Sequence, residues 1–280
     1  MSSAALTIGI GNLLIGSAYS GLGLLSLWEA LSQYRLRGLS RFGLGFTLMA
    51  ASCGPHHLVH GWCVLQGGVV TTPMLVITLL GLPAGVIFSL LRLEAMLGGR
   101  GDRTLLAAPH ALVALATACI ATVGVLATQA LATRPLPDAA MCTVLGLQVA
   151  TSVRAGAEFS SPLFMTNLCA ATAYLLVGWY LAVTQVRRYV AQQQWSLSGL
   201  ALTFVFPTCA FMHIIHALSL GAHSATLPFD LLGVPASMYF LWVVKRVHRD
   251  SVVDWNRRPL VGVAGTPDRS SPWSGLRDAR

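Results

Sequence analysis

Of 280 residues, 55% are hydrophobic and only 10% charged, with a mean hydropathy of +0.67; that balance excludes an ordinary soluble domain and makes lipid the solvent for most of the chain. The formal net charge is +8, but the basic residues sit in short segments between apolar runs rather than along one face, which excludes a nucleic-acid surface and reads as a topology signal.

A helix needs about 20 residues to cross a hydrocarbon core. Runs of that length predict an all-α membrane protein of seven transmembrane helices, at 5–30, 42–67, 69–93, 105–131, 163–185, 197–220 and 229–246. The first run has no basic lead-in and no clear cleavage site, so it reads as a retained helix rather than a signal peptide. Arg35, Arg37 and Arg41 follow the first span, Arg92, Arg100 and Arg103 the third, Arg187 and Arg188 the fifth, and Lys245, Arg246 and Arg249 the seventh. This pattern puts the N-terminus outside and the C-terminus in the cytoplasm of a multi-pass protein of the cell membrane. Residues 133–162, with Pro135, Pro137, Asp138, Arg154 and Glu158, read as an outer loop carrying a short amphipathic helix, and 250–280 as a disordered tail with no output domain. Pro83, Pro207 and Pro235 are expected to kink their helices, and Gly21 to Gly23 to permit close packing. Cys53, Cys63, Cys119, Cys142, Cys169 and Cys209 mostly fall within spans, where no disulfide framework is expected, and read as buried thiols or ligands.

Three motifs recur in one order. Asn12-Leu-Leu-Ile-Gly-Ser-Ala-Tyr19 returns as Asn167-Leu-Cys-Ala-Ala-Thr-Ala-Tyr174. Thr47, Cys53, His57 and His60 return as Thr203, Cys209, His213 and His216, and Leu79-Leu-Gly-Leu-Pro-Ala84 answers Leu231-Leu-Gly-Val-Pro-Ala236. The chain therefore divides into a three-helix repeat (1–95), a linker helix with an outer loop (96–162), a second three-helix repeat (163–249) and the tail (250–280). Both repeats begin outside, so they are parallel and expected to pack about an axis along the membrane normal.

Each helical residue turns about 100°, so Cys53, His57 and His60 share one stripe, as do Cys209, His213 and His216. These six candidate metal ligands are expected to meet toward the outer leaflet. Ionisable groups at that depth are costly and face the bundle interior. Thiolates combined with imidazoles favour Cu(I) or Zn(II), and neither span holds a carboxylate that would suit a harder ion. Asn12 and Asn167, with Tyr19 and Tyr174, are candidates to support the ligands or to touch a bound molecule. His56 lies off the stripe, and its counterpart is Met212. His110, His223 and His248 read as structural.

Cys53-Gly-Pro-His-His57-Leu-Val-His-Gly-Trp62 resembles the Cys-Gly-x-x-His-Leu-x-x-x-Trp signature of the three-helix membrane sensor domain of ethylene receptors. Asn12 and Ala18-Tyr19 stand where that family places an Asp and Ala-Tyr. The resemblance covers about residues 8–93, and 163–246 more faintly. It implies that Cys53 with His57, and Cys209 with His213, bind Cu(I), and that the tandem duplication is a fused version of that family's dimer. Asn in place of Asp, the additional His60 and His216, and the lack of a following kinase module depart from the pattern.

Several functions remain open on the residues alone. One is an integral membrane Cu(I)-binding protein that senses a small ligand or handles copper. Another is electron transfer by a b-type haem held between His57 or His60 and His213 or His216. A metal-dependent membrane oxidase is a third, for which the second and sixth spans supply no Asp or Glu as general base, so a non-enzymatic role is expected. A subunit or transporter without metal is a fourth. The expected partners are the lipid bilayer, a small hydrophobic ligand and a second copy or membrane-complex partner, and no nucleic acid.

Overall fold

The computed structural model describes residues 1–99, 101–106, 108–114, 116–118, 121, 141–144, 147–150, 161–218 and 224–250. Its helices in chain order are α1 Ser3–Arg37, α2 Arg41–Leu65, α3 Thr72–Met96, the short α4 Pro109–Ala118, α5 Pro162–Gln192, α6 Leu197–Ala217 and α7 Leu227–Asp250, the last preceded by a 3-10 turn, Ser224–Thr226. Hydroxyl side chains start five of them: Ser2, Ser40, Thr71, Ser161 and Ser196 accept from the backbone N–H of Ala5, Gly43, Met74, Phe164 and Gly199. These bonds satisfy donors that a first helical turn leaves orphaned. Gln193 ends α5 in the left-handed region at φ 53°.

Among the described residues, α1, α3, α5, α6 and α7 are long and apolar enough to cross a membrane, which is compatible with a multi-pass membrane protein. The expected second span is not in that set. Ser52, Pro55, His56, His57 and His60 occupy the middle and second half of α2 and lower its hydropathy, and 14 of its 25 residues are buried, so its polar side chains face protein. The expected fourth span is represented by α4, and most of the run lies outside the described residues.

Of the outer segment 133–162, the residues named for the loop and its amphipathic helix, Pro135, Pro137, Asp138, Arg154 and Glu158, lie outside the described residues; the described part contains a strand pair. Met141–Val144 (β2) and Leu147–Ala150 (β3) form an antiparallel pair, as the β-branched residues of Met-Cys-Thr-Val and Leu-Gln-Val-Ala favour. β2 packs against α2, and β3 against the 3-10 turn that leads into α7. A second pair joins Thr104–Leu105 (β1) to Trp195–Ser196 (β4). There Asp102 accepts from the Ser196 hydroxyl at 2.6 Å and from the Ser198 N–H at 2.9 Å, tying the segment after α3 to the start of α6. Cys63 is disulfide-bonded, contrary to the expectation of thiols throughout, whereas Cys53, Cys169 and Cys209 are free. Residues 251–280 and His223 lie outside the described residues.

The helices contact one another in matched pairs: α1 with α2 and α5 with α6, α1 with α3 and α5 with α7, α2 with α7 and α6 with α3. Glycines set the α1–α2 distance. A Cβ on Gly61 would lie 2.7 Å from the Gly9 carbonyl oxygen, and one on Gly16 would lie 2.8 Å from that of Gly54, so the two backbones touch. Gly21 meets nothing within 4 Å and has no such role. Pro55, Pro83, Pro207 and Pro235 lie inside unbroken helices. An aromatic core of Phe46, Phe88, Tyr174, Phe206 and Phe240 fills the middle of the bundle. Basic groups gather at one end, where Arg92 pairs with Glu29, and Arg41 and Arg246 each lie 5.7 Å from the Trp242 ring.

Candidate metal centre

Asn12 decides how His57 presents itself. Its amide nitrogen donates to the Ile8 carbonyl at 2.8 Å and to the Thr78 hydroxyl at 3.0 Å, leaving Oδ1 as the acceptor at 2.7 Å from His57 Nδ1. Nδ1 must therefore carry the proton, and Nε2 holds a lone pair. That Nε2 lies 3.7 Å from Cys209 Sγ, on the opposite unit.

The second half repeats the arrangement. Asn167 Nδ2 donates to the Leu163 carbonyl at 2.9 Å and to Asp230 Oδ2 at 3.2 Å, and its Oδ1 accepts from His213 Nδ1 at 2.6 Å. Cys53 lies close enough to His213 to interact with it electrostatically. The two thiols are close neighbours, and each meets a phenol of the other unit: Cys53 Sγ lies 2.8 Å from Tyr174 Oη, and Cys209 Sγ 4.0 Å from Tyr19 Oη. The resemblance pairs Cys53 with His57 and Cys209 with His213 along single helices. The contact of His57 reaches instead from α2 to Cys209 on α6, and Cys53 on α2 has Cys209 and His213 of α6 as neighbours.

Nearer the C-terminal ends of α2 and α6 lies a layer of imidazoles. His56 is 4.8 Å from His213 and 4.9 Å from His216 by ring centroids, and His60 is 5.0 Å from His216. All eleven residues singled out above, Asn12, Tyr19, Cys53, His56, His57, His60, Asn167, Tyr174, Cys209, His213 and His216, are buried in this one cluster. His110 is exposed and His248 bonds Thr184 at 2.9 Å, both away from it.

Sequence reasoning missed Asp230. Fully buried on α7, it accepts from His56 Nδ1 at 2.7 Å and from the Thr226 hydroxyl at 3.0 Å. The argument that the site lacks a carboxylate is corrected accordingly: α2 and α6 hold none, and α7 supplies one. Extending the third repeated motif one residue upstream aligns Asp230 with Thr78, and each receives the amide nitrogen of its unit's asparagine. A lone carboxylate in an apolar span was the available signal.

Below the thiols is a small apolar cavity lined from both units by Tyr19, Leu22, Phe46, Tyr174 and Phe206, with Cys53 and Cys209 in its wall.

The described residues thus define a helical bundle suited to a membrane, with a thiol–imidazole cluster at its centre. Comparison with protein-family models, with curated proteins and with solved structures finds no match to this chain.

Proposed function

We propose that this chain is a seven-span membrane protein made of two parallel three-helix repeats, N-terminus outside and C-terminus cytoplasmic, that binds Cu(I) between α2 and α6. Cys53, Cys209, His57 and His213 are the ligands. The observation that carries the reading is His57 Nε2 at 3.7 Å from Cys209 Sγ, across from α2 to α6, with His213 on α6 the neighbour of Cys53 on α2. For both histidines, an asparagine holds the imidazole proton on Nδ1, so that Nε2 is left for a metal.

The donors suit copper better than zinc. Structural zinc closes four ligands around one point, whereas His57 Nε2 and Cys209 Sγ meet as a sulfur–nitrogen pair and the repeat supplies Cys53 and His213 as a second pair. Cu(I) accepts soft thiolate with imidazole at low coordination number. One Cu(I) on one thiolate and one neutral imidazole has no net charge, which suits a buried site within a bilayer. Haem is the weaker reading, because the rings of His60 and His216 lie 5.0 Å apart by centroids, closer than two axial imidazoles on opposite faces of a macrocycle. An oxidase also has less support, since Asp230 is already engaged by His56, Asn167 and Thr226. The apolar cavity beside the thiols supports sensing of a small hydrophobic ligand; handling of copper is the other use of the same centre.

The test is metal analysis with an absorption spectrum on detergent-purified protein. Wild type is expected to carry copper, up to one ion for each cysteine–histidine pair, with no Soret band, and the His57→Ala/His213→Ala variant to lose it. A Soret band lost in that variant would move the assignment to haem, and neither copper nor haem in wild type would sink both readings.

A further inference from the structure

The two halves of the cluster set the same residue types, a tyrosine and a histidine of the other unit, around each thiol, and they differ beside the asparagines. Beside Asn12 stand Thr78 and Met212, which line one small cavity with His57. Beside Asn167 the corresponding positions hold Asp230 and His56, which form an ion pair. Threonine and methionine fill the first location, so packing alone does not demand a carboxylate and an imidazole in the second. A buried carboxylate in an apolar span is expensive unless it has a task.

The task indicated by the geometry is coordination. His56, His213 and Asp230 each offer a donor atom, and these atoms all lie within 4.8 Å of one another. His56 Nδ1 and His213 Nδ1 lie 2.7 and 3.8 Å from the same oxygen, Asp230 Oδ1. Donors on a tetrahedral zinc stand about 3.3 Å apart, given bonds of about 2.0–2.2 Å, so these distances straddle the required value. All three side chains are buried, and His56 Nε2 is buried with no hydrogen-bond partner among the described residues. The ion pair therefore leaves half of this imidazole unused.

We propose that His56, Asp230 and His213 form a second cation site, taking a divalent ion of intermediate hardness such as Zn(II), beside the thiol-rich copper centre and sharing His213 with it; binding there releases to solvent the Nδ1 proton that His213 otherwise gives to Asn167, so that the ring bridges the two ions as an imidazolate. Nitrogen and oxygen donors select this class of ion, whereas the thiols select the softer one. The site is confined to the half built around Asn167, because Thr78 and Met212 offer nothing equivalent around Asn12. It does not depend on copper binding by the cysteines.

The experiment titrates metal-free, detergent-purified full-length protein with Co(II), a spectroscopic substitute for Zn(II), followed by competition with Zn(II). Visible d–d absorption without a thiolate-to-cobalt charge-transfer band is expected in wild type. It should persist in Cys53→Ala/Cys209→Ala and weaken roughly tenfold or more in Asp230→Asn and His56→Gln. Asp230→Asn keeps the groups that face Thr226 and Asn167, so it should stay monodisperse and retain its copper. Absent Co(II) binding in wild type, or an affinity unchanged in Asp230→Asn, would overturn the site and leave His56–Asp230 as a fastener between α2 and α7. Loss of copper alone, with Co(II) binding intact, would count against the copper centre and not against this site.

Discussion

Asn12 and Asn167 have their amide nitrogens committed to helix carbonyls and to Thr78 or Asp230 before a histidine is considered. Each can therefore offer only its oxygen, and that fixes the imidazole tautomer. Replacing either by Ala removes the acceptor and frees the ring to turn, so Asn12→Ala should weaken Cu(I) binding about 10- to 100-fold, read by competition with a chromophoric Cu(I) chelator. Asn12→Asp, which keeps an acceptor at the same atom, should retain most of the affinity; equal losses in the two variants would show that the acceptor is not what matters. At the basic end the governing effect is different. His248 lies just beyond the apolar part of α7 and is held below the ordinary histidine range by partial burial and then by the charge of Arg187. A folded value below the unfolded one means that protonation favours the undocked side chain, so its contribution to stability is full above pH about 6.5 and is lost as pH falls through the depressed value. His248→Gln should flatten the pH dependence of thermal stability between neutral and mildly acidic pH. A slope unchanged in this variant would assign it to other groups.

Helix α2 is the element on which composition and packing pull apart. Its polar middle lowers its hydropathy, and it keeps its place because α1 and α7 cover that face. The α1 contact is made through Gly9, Gly16, Gly54 and Gly61. A side chain at Gly61 would push α1 away from α2, at a cost of about 1–3 kcal/mol for overpacking, and would stretch the 2.7 Å bond between Asn12 on one helix and His57 on the other. Gly61→Val should therefore lose thermal stability and Cu(I) affinity together, while Gly21→Ala, with nothing within 4 Å, should lose neither. Loss of stability without loss of affinity would mean that the α1–α2 distance does not govern the metal centre. This coupling between elements also marks what could be read from the sequence. The stripe Cys53, His57, His60 and its counterpart follow from helical geometry within single segments, and those residues do come together. The pairing of Asp230 did not follow from any local pattern, because its partner His56 is 174 positions away; the local signal was confined to its being the one carboxylate in the apolar stretch Leu227–Arg246. The same distance hid the crossed pairing: periodicity places a cysteine and a histidine on one face but does not say which copy of the partner they will meet. The strand pair at Met141–Val144 and Leu147–Ala150 is legible in its β-branched residues Thr143, Val144 and Val149.

Across the whole molecule, the matched helix contacts bring one end of every long helix to a basic layer and the other toward the histidines and Cys63. Charge and redox chemistry then give independent readings of sidedness. Arginine and lysine near span ends are retained on the cytoplasmic side, and Arg41, Arg92, Arg188 and Arg246 all lie toward the basic layer. Disulfides persist in oxidising compartments, and Cys63 lies three residues beyond His60, near the opposite end of α2. Both agree with the proposed topology, in which the imidazole layer faces outward and the proposed metal centre is loaded from the outer compartment. A reporter enzyme active only in the cytoplasm should work when fused after Arg280 and fail when fused before Met1, and Cys63 should resist alkylation in intact membranes until a reductant is added. The inverse reporter result with Cys63 freely alkylated would turn the molecule over, and the same ligands would then face the cytosolic copper pool.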